Sequence, residues 1–301
     1  MKTLIVIQGP TASGKTDVGV RLANHFDTEI ISADSRQIFK EMKIGTARPD
    51  EDILKKTKHY FVAQKSVLDY YNASMFENEV LSLLEHDIFL RKDIVLMVGG
   101  SMLYIDAVCN GIDFLPDPDV EIRNSLWQTF YNSGIEVLLK KLELLDPEYT
   151  KIVDKNNHKR IIKALEVCLQ TGKPYSSFRT GLKKERNFKI LKISLNYPRE
   201  ILHERINLRV DKMMSQGLLK EVEKLLPYRN LNSLNTVGYR ELFDYLDNKC
   251  SLAEAVELIK RNTRRYARRQ ISWFNRDQNV EWFCPDSIDK IVERIDSFIE
   301  N

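Results

Sequence analysis

From Thr3 to Ile7 the chain reads TLIVI, apolar at every position after the threonine. A run that short and that uniformly apolar suits a strand buried on both faces of a parallel sheet; a half-exposed strand would alternate. Glu29–Ser32 (EIIS), Ile94–Val98 (IVLMV) and Lys189–Leu195 (KILKISL) have the same character. Between the first two runs, DVGVRLANHF places Val18, Leu22, Ala23 and Phe26 on one side of a helix. Strands alternating with helices predict an α/β fold whose parallel sheet is covered on both faces.

Residues 115–182 break this pattern. They open on Pro116-Asp117-Pro118 and show helical periodicity without a strand. Within them Arg160–Leu169 (RIIKALEVCL) is amphipathic and meets a stop signal at Thr171-Gly172-Lys173-Pro174. The expectation is an all-helical insertion domain at 115–182, set into an α/β core made of 1–114 and 183–301. After the strand at Lys189–Leu195 the core is mostly helical. Arg199–Leu226 repeats apolar residues at Leu202, Ile206, Val210, Met213 and Met214. Leu252–Phe274 repeats them at Leu252, Ala255, Val256 and Ile259, and its later face carries Tyr266, Ala267, Gln270, Ile271 and Phe274. Residues 277–301 show no pattern that assigns an element.

Composition narrows the class only a little. The 301 residues are 43% hydrophobic and 30% charged, enough to bury a core and stay soluble. A net charge of +3 says little about partners; where the positive residues cluster says more. Cys109, Cys168, Cys250 and Cys284 form no CxxC pair, which argues against a zinc knuckle or a thioredoxin-like site and favours free thiols in a reducing cytoplasm. No run approaches the ~18 apolar residues of a membrane span. The N-terminal run is too short for a signal peptide and leads straight into a chemical motif.

That motif is Gly9-Pro10-Thr11-Ala12-Ser13-Gly14-Lys15-Thr16, a full match to G-x4-G-K-[ST] lying between a strand and a helix. Its glycines allow a tight turn whose amides point inward, and the helix N-terminus adds a positive end. Lys15 can neutralise a phosphate, and the Thr16 hydroxyl can hold Mg²⁺. The same P-loop serves ATP-binding kinases, ATPases and GTPases as well as diphosphate-using transferases, so it fixes the ligand and not the reaction. A nucleotide hydrolase usually carries an acidic residue at the C-terminal end of a second strand. Here that strand ends in Gly99-Gly100-Ser101, and Asp93 stands at the opposite end, which counts against an ATPase motor.

Asp34 follows the second strand, at the sheet edge where α/β sites form. It fits a metal ligand, a general base or a helix cap. Gly45, Thr46 and Arg48 in KIGTARP (43–49) fit a phosphate loop or an ordinary one. Ser101 fits a ligand contact or a plain turn. Arg205 and Arg209 lie four apart on one helix face, beside Glu204 and Asp211, so they suit an anion site or a solvated surface pair. Between Lys260 and Arg276 there are seven Lys/Arg with Tyr266, Trp273 and Phe274 interleaved. Such a stripe is a candidate RNA phosphate track, or a solvated face.

Taken in order, GPTASGKT, ISADSRQIF, KIGTARP, VGGSMLY, KRIIKALEV, NTVGYRE and RRQISWF run as they do in the tRNA dimethylallyltransferases, also called isopentenyl-tRNA transferases. The resemblance covers residues 4 to about 276. It implies transfer of a dimethylallyl group from dimethylallyl diphosphate to N6 of the adenosine 3′ of the anticodon, position 37, in tRNAs reading codons that begin with U. It implies Mg²⁺, held through Thr16, and a P-loop (residues 9–16) that grips the donor's diphosphate. By resemblance Asp34 takes the amine proton, Ser101 lines the channel between the substrates, and Lys15 with Arg205 or Arg209 stabilises the leaving group. The tRNA contacts it implies are Asp34, Ser35, Arg36, Gln37, Ser101, Arg123, Lys159, Arg160, Ile161, Ile162, Lys163, Asn235, Thr236, Val237, Gly238, Tyr239 and Arg240. Ser101 stands where many members have threonine, Arg48 and Lys163 exchange one basic type for the other, and Asn157 replaces an acid. No C-terminal zinc finger is present, so the chain resembles the short bacterial type. The expected enzyme is a cytoplasmic monomer. An adenylate prenyltransferase acting on free nucleotide and a P-loop small-molecule kinase remain the alternatives.

Overall fold

The computed structural model describes residues 1–300 and divides into two compact units, Met1–Cys109 with Glu185–Asn301, and Asn110–Lys184. The first is built on six parallel strands: β1 (Thr3–Gln8), β2 (Ile30–Ala33), β3 (His59–Tyr60), β4 (Ile94–Gly99), β5 (Lys189–Leu195) and β6 (Glu281–Phe283). Their order across the sheet is β3-β2-β4-β1-β5-β6. β1 lies at the centre, with Ile5 facing Leu96 on one side and Leu191 on the other.

Apolar residues occupy both faces of these strands because both faces are covered. Leu4, Val6, Ile31 and Met97 point into one core, and Ile5, Ile7, Leu96 and Ile193 into the other. The second core is closed by Val18, Leu22 and Ala23 of α1 (Lys15–His25). The first takes residues of α2 (Ala73–Leu83) and α3 (Met102–Asn110). The four central strands agree with the sequence expectation to within a residue or two. The two edge strands are shorter than a sequence pattern can signal.

The second unit is helical throughout: α4 (Val120–Ser133), α5 (Ile135–Leu145), α6 (Pro147–Ile152) and α7 (His158–Thr171), around Leu126, Leu138, Leu142, Ile161 and Leu165. Asp119 and Asn157 cap α4 and α7 through side-chain oxygens, which fixes where these helices begin.

Back in the first unit, the stretch 199–226, expected to be mostly helical, holds two helices. α8 (Arg199–Ser215) stops before Gly217, whose φ of 96° suits glycine, and α9 (Leu218–Leu225) follows. After α10 (Tyr239–Leu246), α11 spans Leu252–Phe274 as its periodicity predicted. Ser251 and Glu254 satisfy each other's backbone amides at its start. Within 277–301, unassigned from sequence, the described residues supply β6 and α12 (Ile288–Glu300), with Ile288, Ile291 and Ile295 buried in the second core.

Candidate active site

The P-loop runs from β1 into α1. Gly9 has φ 148°, and a Cβ there would lie 2.4 Å from the Leu195 carbonyl oxygen, so only glycine lets β1 turn into the loop beside β5. Gly14 precedes Lys15 as the residue flanking α1. The loop, the C-terminal ends of β2 and β4, and one face each of α8 and α11 enclose a cavity of about 480 Å³. Its lining includes Thr11, Lys15, Thr16, Asp34, Gln37, Gly99, Arg205, Arg209, Tyr266 and Gln270.

Four cations, Lys15, Arg205, Arg209 and Lys212, face two acids, Asp17 and Asp34, across this space. The excess of positive charge suits a compact polyanion. Lys15 Nζ donates to the Pro10 carbonyl at 2.6 Å. Burial lowers its pKa to about 7, helped by the Arg209 charge and opposed by Asp34. Burial also works against the Arg209 guanidinium, with Asp34 supporting its charge. Arg205 Nε donates to the Ala12 carbonyl at 2.9 Å and stacks over Tyr197 at 4.7 Å. The solvated-pair reading of these arginines is therefore set aside: α8 turns both toward the P-loop.

Asp34 serves two purposes with its two oxygens. Oδ1 accepts the Arg36 and Gln37 amides at 2.9 and 3.2 Å, the cap-like role its residue type allows. No hydrogen bond within the described residues occupies Oδ2, and the side chain lines the cavity. Ser101 is tied down: its Oγ accepts the Ser35 amide at 2.7 Å and donates to Ser35 Oγ at 3.1 Å, pinning the β2 loop to the start of α3. Gly99 and Gly100, rather than Ser101, form the wall there. Arg36 is half-buried with Tyr104, Asp34 and Tyr266 as its electrostatic neighbours.

The site contains a residue that periodicity disguised. Gln270 lies on the buried face of α11, 2% exposed. It accepts the Thr11 amide at 2.9 Å and donates to the Gly100 carbonyl at 2.8 Å. One amide thus clamps the P-loop to the end of β4. Its signal in the sequence was a lone polar side chain among Ala267, Ile271 and Phe274. Tyr266 also lines the cavity, and burial beside Asp34 pushes its phenol up to about 12, so it stays neutral.

Several expected RNA contacts are placed elsewhere. Ile161 and Ile162 are buried in the helical unit's core, and Tyr239 is fully buried in the α/β unit, so their side chains pack and do not face a ligand. Arg123 forms a bidentate pair with buried Glu166 at 2.6 and 3.1 Å, and Lys163 bonds the same carboxylate at 2.9 Å. The aromatics of the basic stripe turn inward. Phe274 is core, Tyr266 faces the cavity, and Trp273 Nε1 donates to Asp106 at 2.8 Å. Arg261, Arg265, Arg268 and Arg269 are exposed, while Arg264 donates to Asn207 at 2.6 Å. Lys159, Arg160, Asn235 and Arg240 are exposed; Thr236 and Val237 are half-buried, and Gly238 is buried.

Among the described residues no group of three or more acidic, His or Cys side chains could cage a metal. The donors present still fit Mg²⁺, which keeps its waters and binds mainly through substrate phosphates: the Thr16 hydroxyl lines the cavity, with Asp17 and Asp34 as nearby oxygen donors.

Comparison with known proteins agrees with this arrangement. The family model described as IPP transferase matches residues 37–277. A tRNA dimethylallyltransferase 1 of Bacteroides thetaiotaomicron is 52% identical over 97% of this chain and 95% of its own length. The crystal structure of a full-length tRNA isopentenylpyrophosphate transferase from Bacillus halodurans superposes with a TM-score of 0.72 at 34% identity, covering 100% of this chain and 96% of that one. A eukaryotic dimethylallyltransferase acting on tRNA shares the fold, with a TM-score of 0.83 at 24% identity over 100% of this chain and 80% of that one. Half-identity along nearly the whole chain, around a P-loop cavity set for a polyanion, shows that the chain belongs to the IPP transferase family, that of the tRNA dimethylallyltransferases.

Proposed function

We propose that the protein is a tRNA dimethylallyltransferase that moves the dimethylallyl group of dimethylallyl diphosphate to N6 of adenosine 37, next to the anticodon, in tRNAs reading codons that begin with U. The observation that carries this reading is the cavity itself. Arg205, Arg209 and Lys212 line it together with the P-loop's own Lys15, and so does Asp34, whose Oδ2 no hydrogen bond among the described residues occupies.

The P-loop amides and Lys15 hold the diphosphate, with Arg205 and Arg209 reaching it from α8. Thr16 would hold Mg²⁺ at the cavity, and the ion when bound would supply Lewis-acid neutralisation of the diphosphate charge. As the C1–O bond breaks, its electron pair leaves with the diphosphate, where these cations stabilise it. The N6 lone pair bonds to C1, and the Asp34 carboxylate takes the amine proton. Asp34 keeps its aim because Oδ1 is fixed by two amides, which leaves Oδ2 of this cavity-lining side chain for the amine. The neutral Tyr266 phenol can donate into the same space without adding charge.

The acceptor base must leave its stack to enter such a cavity. Exposed Lys159 and Arg160 on the helical unit, Arg240, and the arginines of α11 are the side chains available to RNA phosphates. Among the described residues no helix is long and apolar enough to cross a membrane, consistent with work on tRNA in the cytoplasm.

Purified protein incubated with labelled dimethylallyl diphosphate, Mg²⁺ and an anticodon stem-loop should yield N6-dimethylallyladenosine on nuclease digestion. Equal labelling of free AMP would replace this reading with an adenylate prenyltransferase, and ATP turnover without prenyl donor would replace it with a kinase.

A further inference from the structure

Glu221 of α9 is remote from the P-loop in sequence and is not one of the cavity's lining residues. Its carboxylate nevertheless gathers four donors from two other parts of the α/β unit. Oε2 accepts the Lys43 and Ile44 amides at 2.9 and 2.7 Å. Oε1 accepts the Gly45 amide at 2.9 Å and the hydroxyl of fully buried Tyr239 at 2.7 Å. Three consecutive amides converging on one carboxylate form an anion nest filled by a side chain.

The loop held in this way turns its carbonyls to the cavity's own residues. Gln37 Nε2 donates to the Thr46 and Ala47 carbonyls at 3.2 and 3.3 Å, and Arg209 donates to the Thr46 carbonyl at 3.4 Å. Ala47, with φ 46°, lines the cavity directly. A non-glycine residue in that conformation costs energy and persists only where its surroundings enforce it. The chain of contacts runs from Glu221 through the loop at 43–47 to Gln37 and Arg209, two groups that face the ligand.

We propose that Glu221 is a positioning residue: it fixes the loop at 43–47 so that the loop's carbonyls hold Arg209 and Gln37 against the diphosphate. The proposal rests on reading the cavity as a diphosphate site. In glutamine at 221 the NH₂ group faces either the Lys43 and Ile44 amides or the Gly45 amide and the Tyr239 hydroxyl, and of these only the hydroxyl can turn to accept, so Glu221→Gln leaves the nest at least one amide short while keeping its volume.

The test titrates wild type, Lys15→Ala, Glu221→Gln and Arg209→Lys with inorganic diphosphate and Mg²⁺, and separately with an anticodon stem-loop. Wild type should bind diphosphate and Lys15→Ala should not. Glu221→Gln should weaken diphosphate about tenfold and leave stem-loop affinity within twofold. In an Arg209→Lys background it should add less than threefold, because both changes disturb one contact. Tyr239→Phe, which removes a single donor, should shift diphosphate affinity the same way by two- to threefold and serves where Glu221→Gln does not fold. If wild type fails to bind diphosphate, the reading of the cavity falls and this inference with it. If wild type binds and a folded Glu221→Gln matches it, or the two changes multiply in full, or the stem-loop is lost equally, the positioning role alone is overturned.

Discussion

Lys15 is buried beside the Arg209 guanidinium, and its pKa falls to about 7 from an ordinary 10.5. A bound diphosphate adds negative charge next to the ammonium and raises that value again. Binding therefore takes up a proton at pH values between the free-state and the raised bound-state value. Between pH 7.5 and 9 the affinity for diphosphate should fall with rising pH, by at most about tenfold per unit. Calorimetry in buffers of different ionisation enthalpy should show proton uptake, and Lys15→Arg, whose guanidinium stays charged across this range, should abolish both effects. Asp34 calls for a different substitution. Alanine removes the proposed base and also frees the Arg36 and Gln37 amides, which confuses loss of a base with loss of the turn. Asparagine can keep Oδ1 in place and present an amide where the proton acceptor stood. Asp34→Asn should lower kcat by roughly 10²- to 10⁴-fold, the usual worth of a general base. Its stem-loop affinity should stay within a few-fold, and near-normal turnover would remove Asp34 from that role.

Helix α7 shows how one element divides its residues between packing and surface. Ile161, Ile162 and Leu165 face the helical core, while Lys159 and Arg160 are exposed at its start. Glu166, fully buried, draws Arg123 from α4 and Lys163 from its own helix. Removing Arg123 leaves that carboxylate with one cation, so Arg123→Ala should cost the fold about 1–3 kcal/mol, detectable as a lower melting temperature. Lys159→Ala and Arg160→Ala should leave melting within about a degree while weakening stem-loop binding and lowering its salt dependence by about one ion each. The periodicity of RIIKALEV located the helix and its apolar face. It could not tell which basic residue of a run would meet an internal acid, because that acid's partner at 123 comes from another helix. α11 teaches the same lesson from the other side. Its apolar stripe was legible, and Gln270 stood in it as an unremarked exception until the fold brought Thr11 and Gly100 to either end of the amide.

For the α/β unit as a whole, the last stretch of chain closes the sheet. β6 extends the edge beside β5, and Ile288, Ile291 and Ile295 of α12 cover Leu191, Ile193 and Leu195. Ile295→Ala should therefore destabilise this unit by about 2–5 kcal/mol, read as a fall in melting temperature, with little change in donor KM while the protein stays folded. A three-residue strand such as Glu281–Phe283 carries too few positions to reveal a period, which is why the region was silent in the sequence. By itself the sequence determined what local physics enforces. Continuous apolar runs require a doubly covered parallel sheet, and G-x4-G-K-T between strand and helix requires an anion cradle. Seven ordered motifs also pointed to the family. The tertiary structure decided which groups from distant positions share one space. It turned Arg205 and Arg209 inward from α8, took Tyr239 and Phe274 away from the surface, tied half-buried Trp273 to Asp106, and recruited Gln270 and Glu221 as clamps. Those outcomes depend on contacts between residues scores or hundreds of positions apart, which no periodicity along the chain encodes.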